Sequence, residues 1–320
     1  MRFNTHQIIG RGRTVKRFVA PRGNYHDNFY CQRRTQRVKV APVKFSIITP
    51  SFRNSAWLKL CIASIADQKG VEVEHIVQDS CSDDGTQDWL PHDQRVKAFI
   101  EKDAGMYDAV NRGYRRATGD ILAYLNCDEQ YLPGALAAVQ KFFQENPDVE
   151  IALAGSIITD GEGNYICHRQ LLPPNPRHIW FRFPFLTSSV FLRRKVITER
   201  KIFFDTRWRD LGDFHWTLAL LEDRVPMGVC ETFTSTFADT GENMNMKPNA
   251  LREKAETEKM VPAWLRPFKP LWIASHRLRR FRAGHFKLGP TSYDIYTKQS
   301  PERRVKFEVA KPTAVWWNRM

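Results

Sequence analysis

Three groups of carboxylates stand where acid–base or metal chemistry could be done. Asp79 follows the apolar run EHIVQ (74–78) and precedes a polar turn containing Asp84, Gly85 and Thr86. Asp128 and Glu129 follow ILAYLN (121–126), and Gly212-Asp213 opens a segment with helical patterning. A carboxylate at the carboxyl end of a buried strand lies where open α/β sheets bind ligands. Its oxygens can accept an amide or imide N–H, take a proton from a hydroxyl, or hold a hard divalent cation that grips phosphates. Each group also has a plainer explanation. Asp84 suits a turn, acids after a strand suit a solvated loop, and Asp213 suits a helix N-cap. Their order within one α/β unit raises the chemical reading.

The elements that must position these residues alternate regularly. KFSIIT (44–49) is a β-rich run stopped by Pro50, and Asn54 or Ser55 can cap a helix over 56–67 with Leu58, Ile62 and Ile65 on one face. Strands follow at 74–78, 96–100, 121–126 and 151–158, with helices at 87–90, 106–117 (despite Gly113) and from Pro133 to 145. This alternation predicts a Rossmann-like α/β fold with a mainly parallel, doubly wound sheet flanked by helices. LLPPNPRH (171–178) reads as a loop, 185–240 is less regular apart from a helix over 213–222, and a charged helix is expected around 250–260.

The chain has 320 residues, is 42% hydrophobic and 12% aromatic, and is therefore globular in character. No run approaches the roughly 18 apolar residues of a membrane span, and MRFNTHQIIGRGRTVKRF lacks the apolar core of a signal peptide. Six scattered cysteines without a CxxC pair read as reduced cytosolic thiols. Charge is unevenly spread. Residues 1–44 carry 11 Lys/Arg against one acid and residues 264–320 carry 13 against three, whereas 45–263 carry 25 against 31. Basic flanks on a mildly acidic body suit an anionic surface, or are simply solvated.

Read in order, the motifs resemble those of the inverting family 2 glycosyltransferases of GT-A fold, most like bacterial members that build surface polysaccharides. The resemblance covers residues 45–245. FSIITPSFRN matches the family's opening strand and turn, with Arg53 as a departure. EHIVQDSCSDDGT matches E-x-I-V-x-D-G-G-S-T-D-G-T, with Ser80 and Cys81 in place of glycines. EKDAGMYDAVNRGYRRATGDILAYLNCDE matches E-x-D-x-G-I-Y-D-A-M-N-K-G followed by A-x-G and L-N-S-D-D, with Glu129 in place of the last Asp. SSVFLRRKVITERKIFFDTRWRDLGDFHWTLAL resembles the acceptor-side pattern that ends in a catalytic Asp, here preceded by Gly212.

The resemblance implies that Pro50, Ser51 and Asp79 line a nucleoside pocket, with Asp79 recognising the base. It places Asp103, Asn111 and Asn126 beside a nucleotide-sugar donor, UDP being the expected carrier. Asp128 would bind Mg²⁺ or Mn²⁺ on the diphosphate, Glu129 would touch metal or sugar, and Asp213 would be the general base. The acceptor would be a hydroxyl of a glycan or a lipid-linked glycan. The Gln-x-x-Arg-Trp signature of processive synthases is absent, so one sugar per encounter is expected.

The resemblance divides the chain into a basic arm (1–43), a GT-A domain (44–245) and a basic, aromatic, helical extension (246–320). Beyond Pro270 a helix would put Leu271, Ala274, Leu278 and Phe281 on one side and Arg277, Arg279, Arg280 and Arg282 around them. That pattern suits an interfacial helix on anionic lipid, and equally a helix packed on the domain. The expected location is cytoplasmic, peripheral on the inner face of the membrane. Two other classes stay open: a nucleotide-sugar-binding protein with weakened catalysis, suggested by Glu129, and a nucleic-acid-binding protein, suggested by the basic ends. No nucleic-acid-binding motif supports the latter, and nucleic acid is not expected as a partner.

Overall fold

The computed structural model describes residues 43–182, 186–240 and 248–316, so all of the expected basic arm but Val43 lies outside the described residues. In chain order the elements are β1 (Lys44–Ser51), α1 (Ser55–Ala66), β2 (Glu72–Asp79), α2 (Thr86–Trp89), β3 (Lys97–Ile100), α3 (Met106–Arg116), β4 (Ile121–Tyr124), β5 (Gln130–Tyr131), α4 (Ala135–Glu145), β6 (Ile151–Thr159), β7 (Tyr165–Arg169), β8 (Val190–Arg193), α5 (Lys195–Thr198), α6 (Gly212–Glu222), β9 (Met227–Ala238), α7 (Pro248–Met260), α8 (Lys269–Arg282), β10 (Thr291–Thr297) and β11 (Ser300–Val309). The main sheet runs β3-β2-β1-β4-β8-β6-β9-β5, with β7 on β6. The fold is α/β, as the alternation predicts. β3, β2, β1 and β4 are parallel; beyond them β8 enters antiparallel between β4 and β6, while β6 and β9 are parallel.

Strand periodicity divides the core between the two faces of this sheet. Ile48 joins Tyr107, Val110, Trp216 and Leu220 on the face covered by α3 and α6. Phe45 and Ile47 join Cys61, Ile65, Leu136 and Val139 on the face covered by α1 and α4. Each such fully buried aliphatic side chain stabilises the fold by roughly 1.5–3 kcal/mol relative to exposure. Gly113 has a packing reason inside α3. A Cβ there would come within 2.4 Å of the Ile48 side chain, so its absence lets the helix lie close on β1.

Pro50 does not stop β1, which continues to Ser51 in register with Asp79. The reason is the direction of its nitrogen. Ile48 accepts a bond from the Leu125 N–H on the β4 side, and Pro50 points the same way by the period-two rule. The β4 ladder ends at Tyr124 opposite Ile48, so the missing N–H breaks no ladder bond.

At the opposite end of the strands, Glu74 ties three strands to a loop. Its carboxylate accepts bonds from Ser46 Oγ (2.6 Å), Lys97 Nζ (2.6 Å), and the Thr118 N–H (2.9 Å) and hydroxyl. Burial alone would raise its pKa, but these donors outweigh it and hold the carboxyl at about 2. The A-x-G motif at 117–119 is part of this joint, and Gly119 N–H donates to Ser46 Oγ.

The segment expected to be a helical extension also carries the antiparallel hairpin β10–β11, which sequence reading did not find. It packs back on the sheet. Tyr296 exchanges two backbone bonds with the Gln130 amide (2.8 and 2.9 Å), and Arg304 pairs bidentately with Asp67 (2.6 and 2.7 Å).

Candidate active site

β1 and β2 end side by side, and their carboxyl ends are stitched together by the Ser80 N–H bonding to Ser51 O at 2.9 Å. Asp79 is fully buried and accepts the Ser82 N–H (2.8 Å) and hydroxyl (2.7 Å), so its carboxylate holds the 80–84 turn in shape. Beside it the Ser51 hydroxyl is buried and lacks a partner among the described residues. Pro50 and Ser51 thus lie at the expected strand end, with an unused hydroxyl. Two non-glycine residues here have left-handed backbone, Arg53 at φ 51° and Cys81 at φ 58°. Cys81 stands where the family resemblance expects glycine, and glycine is the residue that adopts this conformation without steric cost. Arg53 is held by a bidentate, exposed pair with Asp83 (2.5 and 2.6 Å).

Asp103 shapes the entry to α3: its carboxylate accepts the Gly105 N–H at 2.9 Å, and its own N–H reaches Ser80 Oγ at 3.4 Å. Asn111 is a different case. Expected beside the donor, it is buried and spends its amide on the backbone of Phe204, donating to Phe204 O (2.9 Å) and accepting from Phe204 N–H (3.0 Å). That clamp ties α3 to the chain leading into α6.

The loop after β4 forms a tight turn. Glu129 N–H bonds to Asn126 O (3.0 Å), and Asn126 N–H returns to Glu129 Oε2 (2.8 Å). Glu129 is 2% exposed, and burial followed by the Asp128 charge pushes its carboxyl up to about 8. Burial raises Asp128 as well. No lysine or arginine pairs with either carboxylate among the described residues. A buried Glu129 beside a half-buried Asp128, with no counter-charge among the described residues, fits a hard divalent cation. Among the described residues no group of three His, Cys, Asp or Glu could hold such an ion alone. The donor set therefore suits a cation shared with phosphate oxygens, the usual arrangement for Mg²⁺. Asp128 also lines a small cleft with Trp57, Asp160, Thr236, Tyr296 and Lys298.

Asp213 lies in the first turn of α6, where its Oδ1 accepts the Phe214 N–H at 2.7 Å. Burial raises its carboxyl to about 7 against the opposing effect of backbone bonds and of the Tyr107 hydroxyl. Tyr107 reaches it because Gly212 has no side chain: a Cβ there would come within 2.5 Å of the Tyr107 ring. Tyr107 in turn stacks on Phe204 at 4.9 Å. The approach to α6 is fixed from outside by Glu253 of α7, whose carboxylate accepts the N–H groups of Arg209, Asp210 and Leu211 at 2.8–3.0 Å. Tyr124, at the end of β4, feels the charges of both Asp213 and Glu129, so one buried side chain lies near both carboxylates. Sequence reading missed Tyr107 and Glu253. Tyr107 lay inside a quoted motif without a role, and Glu253 sits in a charged helix that gave no local signal.

The model of "Glycosyl transferase family 2" matches residues 46–203. Among curated proteins, a PGL/p-HBAD biosynthesis glycosyltransferase of Mycobacterium tuberculosis is 34% identical over 189 residues, which is 56% of this chain and 70% of that protein. A GalNAc(5)-diNAcBac-PP-undecaprenol beta-1,3-glucosyltransferase of Campylobacter jejuni is 30% identical over 127 residues, 38% of this chain and 40% of that protein. The chain thus spans from under half to 70% of the length of the curated relatives it matches. Among solved structures, S. aureus TarS 1–349 in complex with UDP-GlcNAc is similar in fold, with TM-score 0.57 at 15% identity, covering 84% of this chain and 100% of that one. On the strength of the family match and the mycobacterial relative, the chain belongs to glycosyltransferase family 2.

Proposed function

We propose that this chain moves one sugar from a nucleotide-sugar, with a UDP-sugar the best-supported donor, to a hydroxyl of a glycan or lipid-linked acceptor, inverting the anomeric centre. The observation that carries the reading is the placement of Asp213 in the first turn of α6, beside the Tyr107 ring that packs on Gly212, with Tyr124 of β4 near both it and Glu129. The undecaprenol-linked acceptor in the name of the Campylobacter relative supports the acceptor class, and the TarS complex with UDP-GlcNAc supports the UDP carrier.

In this mechanism the ionised Asp213 accepts the proton of the acceptor hydroxyl as its oxygen forms a bond to the anomeric carbon. The bond from that carbon to the diphosphate oxygen breaks, and its electron pair leaves with the nucleoside diphosphate. A pKa near the working pH suits a general base, which contributes on the order of 10²–10⁴-fold. Asp128, with Glu129 bracing the turn, would hold Mg²⁺ or Mn²⁺, which when bound neutralises charge on the leaving diphosphate. Ser51 and Asp79 would meet the nucleoside, Asp79 once the Ser82 turn parts from its carboxylate, and Asp103 and Asn126 would flank the donor.

The test is Asp213→Asn. Transfer should fall by on the order of 10²–10⁴-fold while UDP binding in the presence of Mn²⁺ is kept. Near-normal turnover would remove Asp213 from the base role. The second reading, donor binding with weakened catalysis, is favoured by the bond from Asn126 N–H that occupies one Glu129 oxygen. It predicts UDP-sugar binding by the unaltered chain with neither transfer nor hydrolysis.

The acceptor class gives a membrane surface a purpose. α8 has no buried residue, and the face predicted to be apolar points outward: Leu271 is 59%, Leu278 47% and Phe281 61% exposed. Lys269, Arg277 and Arg282 are exposed on the same helix. Apolar side chains turned to solvent among cations are the pattern of a helix lying on anionic lipid. No helix among the described residues is long and apolar enough to cross a membrane.

A further inference from the structure

The other side of α8 is as unusual as its exposed face. His276, Arg279 and Arg280 turn inward, half-buried, against the 171–182 loop and β7. The His276 ring lies 5.9 Å from that of His178, and His178 lies 6.1 Å from Trp272. Arg279 donates to Pro173 O at 3.2 Å, which fixes the helix on the loop. From β7, Arg169 lies over the Trp316 ring, and His168 Nε2 is 3.2 Å from His285 O. Arg280 lies over the Phe286 ring, and Arg182 leads from the loop to solvent.

This cluster is cationic, with few acids beside it among the described residues. Arg169, Arg182 and Arg280 form no ion pair among the described residues, and Asp239, the nearby acid, accepts the Trp316 indole N–H at 3.0 Å. Arg280 Nη2, His276 Nδ1 and His285 Nδ1 are buried without a hydrogen-bond partner among the described residues. Burial, and then the Arg169 charge, bring the Arg280 guanidinium down to about 10, while burial and the Arg182 charge lower Arg169. Like charges gathered in a half-buried place with unused donors destabilise the chain unless an anion joins them. The guanidinium fork matches phosphate oxygens in geometry and charge.

We propose that Arg169, Arg182 and Arg280, with the His276 and His285 rings, form a binding site for a phosphate group, separate from the Asp128–Glu129 turn. The ladder places it. Arg169 is the Cα partner of Ser156, three residues and so roughly 10 Å along β6 from Thr159, which borders the Asp128 cleft. The site also lies directly beneath the helix whose outer face is apolar. A phosphate carried by a lipid headgroup or by a soluble phosphate ester would both satisfy it.

The experiment uses the full chain with EDTA present, so that no divalent cation recruits phosphate to the carboxylates. Inorganic phosphate should raise the melting temperature, and Arg169→Gln/Arg280→Gln should weaken half-saturation by roughly tenfold or more. The same variant should keep its UDP response when Mn²⁺ is restored, so a failure here is separable from a failure of the glycosyltransferase reading. Arg182→Gln, at the exposed edge, repeats the measurement where the double variant does not fold. No phosphate response in the unaltered chain, or an equal response in the variants, would overturn the proposal. Given the phosphate response, vesicles assign its source. Tighter binding to phosphatidate than to phosphatidylcholine that the variant loses identifies a lipid headgroup, and vesicle binding unchanged in the variant identifies a soluble phosphate ester.

Discussion

At the scale of single residues, the site is governed by what surrounds each carboxylate. Asp213 is raised by burial and pulled back by the Tyr107 hydroxyl, so removing that hydroxyl should raise it further above about 7. A base must be ionised to act, and Tyr107→Phe should therefore move the acid limb of the kcat/KM profile to higher pH, with activity largely regained in alkali. An unchanged profile would sink the link between the two residues. The same shift bears on stability. Because the folded-state pKa exceeds the unfolded value of about 3.9, the folded protein gives up stability as pH rises from about 4 to 7. Asp213→Asn should thus gain melting temperature over the parent at pH 8 and lose that advantage at pH 4. Cys81 offers a separate check on the nucleoside side. Its left-handed backbone predicts that Cys81→Gly changes stability little or raises it by about 1 kcal/mol, read by urea unfolding, since relief of strain opposes the added freedom of the unfolded chain.

At the scale of elements, the helix that carries the proposed base is aimed by a helix outside the region of family resemblance. Glu253 of α7 satisfies three backbone N–H groups before α6, groups that would otherwise lose their partners on leaving water. Glu253→Gln keeps the shape and removes the charge. It should cost roughly 2 kcal/mol of stability and lower kcat more than it weakens UDP binding. Equal loss of both would mean that α7 supports the fold generally rather than the base. The elements themselves were legible to different degrees. β1, β2, β4 and β6 announce themselves as apolar runs, and α3 was readable even through Gly113, whose packing on Ile48 only the structure reveals. The hairpin was hidden because VKFEV alternates apolar and charged residues next to Glu302, Arg303 and Arg304, so one charged face disguised a strand as tail. Asn111 was legible as a motif but not as a clamp, since its partner Phe204 is 93 residues away.

At the scale of the whole molecule, charge and apolar exposure share one region. Among the described residues, eight of the nine exposed large hydrophobic residues lie between Leu251 and Phe286, and Phe52 is the ninth. That concentration is larger than scattered surface residues need and marks a surface for docking. The full chain should float with vesicles containing anionic lipid at low salt, and release as salt rises. Leu278→Glu/Phe281→Glu should abolish flotation without lowering turnover on a soluble acceptor. A chain that stays at the bottom of the gradient would argue for solvated flanks instead.

The hairpin bond between Tyr296 and Gln130 spans 166 residues, and that between Arg304 and Asp67 spans 237. Gln130 directly follows Glu129, so the turn proposed for the cation is braced by a segment that leaves the ribosome 166 residues after it. Long-range contacts of this kind form late, because the loop they close must first be gathered. The β3-β2-β1-β4 half of the sheet can assemble during synthesis, whereas the turn beside it waits. A nascent chain of this protein would therefore hold a nearly finished fold and an unfinished site until residues 291–309 emerge.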